Sequence, residues 1–162
     1  MSLFSGLIIV HIVSGTCCLV MGAVALLARK RRGKHTVWGE AYHATYVILF
    51  LSALFTSILH WQQDAYLFYI DLFSYGLALL GYLSRKIRWK DWLKTHIAGM
   101  AGSYIALITA IFVVNQPHIP GMNKIPALVF WFLPTIVGTP LIFRTASRYT
   151  KPRKLTKTNV SS

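Results

Sequence analysis

The sequence predicts an all-α fold, an integral membrane helical bundle with five transmembrane helices. Of the 162 residues, 55% are apolar and four are acidic, and the mean hydropathy is +0.53. A soluble domain of this size cannot bury so much apolar surface. The apolar residues form long runs with few charges, as membrane-spanning segments of about 20 residues do. These runs lack the period-2 alternation of barrel strands, so helices are predicted.

The predicted spans follow one another with short connections. They cover about residues 3–28, 37–60, 66–84, 96–115 and 127–143. Short loops make consecutive helices antiparallel neighbours, so residues 1–144 are expected to form one bundle. Residues 145–162 are basic and poor in apolar side chains, and they are expected to form a disordered tail.

The basic residues predict the orientation of the bundle. Of the 17 Lys and Arg residues, five lie in residues 29–34, five in residues 85–94 and six in residues 144–157. With five spans, these segments fall on one side of the bilayer, which the positive-inside rule assigns to the cytoplasm. The N-terminus is then outside and the C-terminus cytoplasmic. The net charge of +13 is thus attributed to topology and to contact with anionic lipid, and not to nucleic acid.

The first predicted helix carries His11 about a third of the way in from the outer side. Gly15, Cys18 and Gly22 follow at helical spacing, so His11 lies on a stripe of small residues that allows close helix packing. A histidine at this depth either bonds to a neighbouring helix or belongs to a functional site, and both interpretations stay open. The adjacent Cys17 and Cys18 have no zinc-site spacing and are interpreted as packing residues.

The second predicted helix begins with His35, Glu40 and His43, the densest group of reactive side chains in the chain. Glu40 is the only glutamate, which excludes a di-iron carboxylate centre with its several glutamates. Glu40 therefore either pairs with a basic residue or belongs to a smaller metal site. His60 ends the same helix at the outer surface, where it is expected to approach His11.

Asp71 lies inside the third predicted span, near its outer end. It either accepts a hydrogen bond from His11 or His60, as carboxylates behind metal-binding histidines do, or extends toward the lipid headgroups. The loop that follows alternates tryptophan with cations and is expected to lie on anionic lipid.

His96 begins the fourth predicted span, in line with a stripe of small residues. The spacing predicts that it points into a tight helix interface on the cytoplasmic side. The stripe consists of Gly99, Ser103, Ala106 and Ala110. The fifth span contains Pro134 and Pro140 and is predicted to be a kinked cover on the bundle.

The histidines suggest two kinds of cofactor. Haem b between two helices needs two facing histidines and small residues beside the porphyrin. His43 with His96 is predicted as an inner haem pair, and His11 with His60 as an outer one. A transition-metal site built from His35, Glu40, His43 and His96 is an equally compatible alternative.

Three segments carry a resemblance to a known family. They read HIVSGTCCLVMGAVALL, GKHTVWGEAY and THIAGMAGSYIALITA. Over residues 8–115 the chain resembles a bacterial family of predicted membrane proteins catalogued as domain of unknown function 2306. The resemblance implies a location in the bacterial cell membrane and singles out His11, His35 and His96, but it implies no reaction. More loosely, the chain resembles membrane b-type cytochromes. Those proteins have pairs of haem ligands within one helix, and His43 and His60 approximate such a pair here.

Three functions therefore stay open at the level of sequence. The first is a haem protein of the b-cytochrome type that passes electrons to a membrane redox partner or senses redox state. The second binds a metal, or moves a proton or small solute along a polar path that includes His11 and Asp71. The third is a structural or regulatory protein without a cofactor, alone or as a homo-oligomer. No nucleotide loop, catalytic triad or HExxH helix predicts an enzyme acting on a soluble substrate.

Overall fold

A computed structural model describes residues 3–29 and 33–150. This part of the chain folds into five long helices without strands. They are α1 (Leu3–Leu27), α2 (Lys34–Leu59), α3 (Trp61–Ile87), α4 (Trp92–Asn115) and α5 (Ala127–Thr150), with two short 3-10 turns between α4 and α5. All five helices are long and apolar enough to cross a membrane. The predicted class, an all-helical protein with five spans, is confirmed.

The helices extend beyond the apolar segments that the sequence marks. α3 begins at Trp61 and α2 ends at Leu59, so that His60 alone connects them. Polar residues after Trp61 are helical because the helix continues past the hydrocarbon into the interface, where Asp64 in its first turn suits the positive end of the helix dipole. α5 likewise continues to Thr150, and the rest of the predicted tail, residues 151–162, lies outside the described residues.

The first four helices form a closed bundle, and α5 lies outside it. Helices that follow each other in the chain pack together, and α1 also contacts α4. α5 packs on α4, contains Pro134 and Pro140, and buries Phe130 alone among its residues. The apolar side chains that α5 leaves exposed suit contact with lipid.

The closest approach of two helices is that of α3 and α4 at Gly81 and Gly99. A Cβ atom on Gly99 would lie 2.6 Å from the backbone nitrogen of Gly81, a distance that no real contact allows. Gly99 and Ser103 of the predicted small-residue stripe are buried, whereas Ala110 at its far end is exposed. This crossing brings His96, three residues before Gly99, next to the backbone of α3.

Candidate functional site

A small cavity lies among α1, α2, α3 and α4 at the end of the bundle that carries the loops after α1 and α3. We call it the basic-loop cavity. Its volume is about 50 Å³, enough for a few water-sized groups. The residues around it are His35, His96, Met100, Arg85, Tyr82, Tyr42, Tyr104, Gly22, Ala25, Leu26 and Gly39.

His35 and His96 meet at the basic-loop cavity. Their ring centroids are 6.4 Å apart and their planes are nearly perpendicular, at 88°. His35 Nδ1 lies 2.8 Å from the carbonyl oxygen of Ala25, and His96 Nδ1 lies 2.8 Å from that of Gly81. A carbonyl oxygen only accepts, so each Nδ1 carries the hydrogen, and a neutral ring then presents Nε2 as an acceptor or metal ligand.

Glu40 lies near the same end of the bundle, within a group of cations. Its Oε1 is 2.8 Å from Lys86 Nζ and 3.8 Å from Arg85 Nη1, and the Tyr82 hydroxyl donates to its Oε2 at 2.8 Å. Arg85 also donates to Thr36 Oγ1 at 3.3 Å. Of the two interpretations of Glu40, the structure therefore contains the ion pair, which ties α2 to α3.

His43 lies against tyrosines of α3. Its ring stacks on Tyr82 at 3.9 Å with an interplanar angle of 5°, and more distantly on Tyr75. The side chain is 9% exposed. Its Nδ1 is buried and has no hydrogen-bond partner among the described residues. The ring that contacts His96 is that of His35. Among the described residues, the rings of His43 and His96, the predicted inner pair, are not in contact.

Near the end of the bundle opposite the basic-loop cavity, His11 and His60 have separate surroundings. His11 Nδ1 lies 3.3 Å from Ser52 Oγ of α2. The ring of His60 packs on Phe4 with centroids 4.2 Å apart. His60 Nδ1 and Asp71 Oδ2 are buried, and within residues 3–29 and 33–150 neither has a hydrogen-bond partner. Among these residues, the rings of His60 and His11 are not in contact, although the sequence predicted that the two histidines approach each other.

A group of buried hydroxyls, which sequence analysis missed, lies between the two ends. We call it the tyrosine–serine cluster, and it consists of Tyr42, Tyr46, Ser74 and Ser103, all buried. Tyr42 Oη is 2.9 Å from Ser103 Oγ. Tyr46 Oη bonds to Ser74 Oγ and donates to the Ser103 carbonyl oxygen at 3.4 Å. The available signal was the pair of tyrosines one helical turn apart, since a buried tyrosine hydroxyl needs a partner.

The predicted metal set is not assembled. Among residues 3–29 and 33–150, no group of three or more His, Cys, Asp or Glu side chains is placed to hold a metal ion. His35 and His96 do meet, but Glu40 is bonded to cations and His43 is stacked on Tyr82. The four predicted ligands therefore do not form one site.

Haem b does not fit the arrangement either. Organic ligands of ordinary size occupy pockets of about 300 Å³ or more, whereas the basic-loop cavity beside His96 holds about 50 Å³. A pocket of about 320 Å³ lies at the turn between α2 and α3, but it is lined by residues 58–63, and His11 is not among them. Neither predicted histidine pair is in ring contact among the described residues: the ring in contact with His96 is that of His35, and the ring of His60 packs on Phe4.

These features define a class of protein: a multi-pass helical membrane protein whose bundle interior contains hydrogen-bonded polar side chains. The chain belongs to the family described as predicted membrane protein, DUF2306, whose model matches residues 8–139. This match includes most of α1, all of α2 to α4 and the first half of α5, and so extends beyond residue 115. No curated protein and no solved structure is significantly similar to the chain, so a likeness to b-type cytochromes is not shown.

Proposed function

We propose that this protein conducts protons across its membrane through the interior of the four-helix bundle. The tyrosine–serine cluster is the observation that carries the proposal. Tyr42 contributes both to the cluster and to the wall of the basic-loop cavity. At the other end of the cluster, Asp71 precedes Ser74 by about one turn of α3 and interacts electrostatically with Tyr46.

Groups that bind or relay a proton occur at successive depths of the bundle. With a rise of about 1.5 Å per residue, Tyr42 lies roughly 12 Å, Tyr46 roughly 18 Å and Asp71 roughly 24 Å from the basic-loop end of its helix. His35 and His96 lie closer to that end, whereas His11, roughly 24 Å from the basic-loop end of α1, lies at about the depth of Asp71. The series reaches from the basic-loop cavity into the outer half of the bundle.

Hydroxyl groups suit the middle of such a path. A hydroxyl donates one hydrogen bond and accepts others at the same time. It can therefore take a proton on one side and release its own proton on the other, after which it rotates back. In this scheme Asp71 exchanges the proton with the outer half, the tyrosine–serine cluster passes it inward, and His35 and His96 release it at the cavity. The proton follows its electrochemical gradient, and no group is oxidised or reduced.

Asp71 is the group that favours conduction over a purely structural role. A structural aspartate inside a membrane protein is expected to be paired. Asp71 Oδ2 is buried and has no hydrogen-bond partner among the described residues. A carboxyl oxygen in this state is suited to gaining and losing a proton.

The alternative function is a structural membrane protein without transport. It is favoured by the fact that the Tyr42 hydroxyl bonds α2 to α4 and the Tyr46 hydroxyl bonds α2 to α3. On this alternative, loss of a hydroxyl lowers stability by about 1 kcal/mol and changes nothing else.

Tyr46→Phe distinguishes the two functions, because it removes one hydroxyl and keeps the ring. We expect proton flux into proteoliposomes, followed with an enclosed pH-sensitive dye under an imposed potential, to fall by about tenfold or more. Tyr69→Phe is the matched control, since Tyr69 lies on α3 and is 62% exposed. A Tyr46→Phe protein that melts earlier but conducts as well as Tyr69→Phe would support the structural alternative.

The proposal includes the orientation inferred from the basic segments, with the N-terminus outside and the C-terminus cytoplasmic in a bacterial cell membrane. It also places the loop after α3, where Arg88 lies 5.7 Å from the Trp92 ring, against anionic lipid. A homo-oligomer and a membrane redox partner stay predictions from the sequence.

Single cysteines test the orientation. In a Cys17→Ala/Cys18→Ala background, Lys124→Cys is expected to react with a membrane-impermeant thiol reagent in intact cells. Lys90→Cys is expected to react only after the cells are permeabilised, because it lies in the cytoplasmic loop of this topology. The opposite pattern would reverse the proposed direction of the path.

A further inference from the structure

We infer that the basic-loop cavity binds one soft monovalent metal ion, Cu(I), through His35, His96 and Met100. All three side chains contribute to the wall of this cavity. His96 and Met100 are four residues apart on α4 and therefore share a face of that helix, while His35 comes from α2. The site differs from the predicted set of four ligands. It shares His35 and His96 with the proposed proton path, and Cu(I) bound there would block proton release, but the binding test does not depend on proton flux.

His35 and His96 make the kind of hydrogen bond that orients a metal-binding histidine. A metal-binding histidine usually donates its other ring N–H to a carbonyl or carboxylate oxygen, which fixes the tautomer and the ring. His35 and His96 each donate Nδ1–H to a main-chain carbonyl oxygen at 2.8 Å. Because Nδ1 carries the hydrogen in both neutral rings, Nε2 is the nitrogen through which each ring would bind a metal ion.

The ring separation also suits one shared ion. Two imidazoles on one ion, with metal–nitrogen distances near 2.0 Å, have centroids roughly 5 to 6.5 Å apart, the larger value belonging to nearly linear coordination. The observed separation of His35 and His96 is 6.4 Å. Cu(I) accepts low coordination numbers, and the Met100 thioether supplies a third, soft ligand.

The charges around the cavity favour an ion of low charge. None of the described residues around the cavity is acidic, and one of them, Arg85, is basic. The carboxylate of Glu40, at the same end of the bundle, bonds to Lys86, Arg85 and Tyr82. Basic surroundings repel a divalent ion about twice as strongly as a monovalent one. Imidazole and thioether without carboxylate or thiolate match Cu(I) better than Zn²⁺, Mg²⁺ or Ca²⁺.

The test is a titration of detergent-purified protein with Cu(I) in competition with bicinchoninate, under anaerobic reducing conditions. The Cys17→Ala/Cys18→Ala background removes the two thiols, which would compete for Cu(I). We expect one Cu(I) per chain, and at least about tenfold weaker binding after Met100→Leu or His96→Asn. Met122→Leu in the loop between α4 and α5 is the control and should leave the affinity unchanged.

X-ray absorption at the copper edge gives a second readout that a folding defect does not imitate. We expect one sulfur and two imidazole neighbours, and loss of the sulfur alone in Met100→Leu, a nearly volume-conserving change. The inference is overturned if Cu(I) binding disappears with the two cysteines. It is also overturned if binding persists unchanged in His35→Asn/His96→Asn, or if Zn²⁺ binds the site more tightly than Cu(I).

Discussion

Asp71→Asn is expected to abolish most of the proton flux, with a loss of roughly tenfold or more in proteoliposomes. The substitution keeps the size and shape of the side chain, but an amide does not gain and lose a proton as a carboxyl group does. Asp71 Oδ2 is buried and has no hydrogen-bond partner among the described residues. Little stabilising interaction is therefore lost with the carboxylate, and the variant should fold.

Asp64→Asn is the matched control for this experiment. Asp64 lies on the same helix, in the first turn of α3, and its replacement removes the same charge outside the proposed path. We expect its flux to equal that of the unchanged protein. Equal flux in Asp71→Asn and Asp64→Asn, measured at matched protein content, would remove Asp71 from the path.

The second large effect is expected on stability, from Gly99→Ala. The added Cβ would lie 2.6 Å from Gly81 N, 2.7 Å from Gly81 Cα and 2.7 Å from Leu77 O. These atoms belong to the backbone and cannot rotate away, so α3 and α4 must separate. We expect the free energy of unfolding to fall by about 1–3 kcal/mol, which is the usual cost of overpacking an interface. This loss is expected although alanine is ordinarily a better helix former than glycine. The shift should also lengthen the hydrogen bond from His96 to Gly81.

Gly76→Ala separates crowding from helix propensity. Gly76 is also on α3, and a Cβ there would meet nothing within 4 Å. Its replacement is expected to leave stability unchanged or raise it by up to about 1 kcal/mol. Thermal unfolding in one detergent compares the two variants. If Gly99→Ala unfolds at the same temperature as Gly76→Ala or above it, α3 and α4 are not in direct contact at this crossing.

The spans were predictable because hydropathy is a local property of the chain. The ends of the helices were less so, since residues such as Gln62 and Gln63 are polar yet continue α3 into the interface. The small residues Gly99 and Ser103 were correctly expected on a packed face, because their spacing follows the helical period.

The partners of the histidines were not predictable from membrane level alone. With 100° of rotation per residue, His43 lies about 80° and Glu40 about 140° around α2 from His35. His35 therefore meets His96, while His43 meets Tyr82 on α3 and Glu40 meets Lys86. Grouping these residues by depth ignored this rotation, which is why the four-ligand metal site and the pair of His43 with His96 were expected.

The tyrosine–serine cluster was missed for another reason. Tyrosine in an apolar helix is compatible with lipid contact, with packing or with a hydrogen bond across the bundle, and Tyr69 and Tyr46 differ in this respect. Which tyrosines face inward depends on how α2, α3 and α4 are rotated against each other. That rotation is set by contacts such as that of Gly81 with Gly99, between residues distant in sequence.

The measurement that tests proton conduction most directly is the flux through the unchanged protein in liposomes, with a valinomycin-induced potassium potential as the driving force. We expect internal acidification clearly faster than in protein-free liposomes and faster than in liposomes containing Asp71→Asn, while an enclosed dye of larger size is retained. Acidification no faster than in protein-free liposomes would contradict the proposed path and leave the structural function in its place.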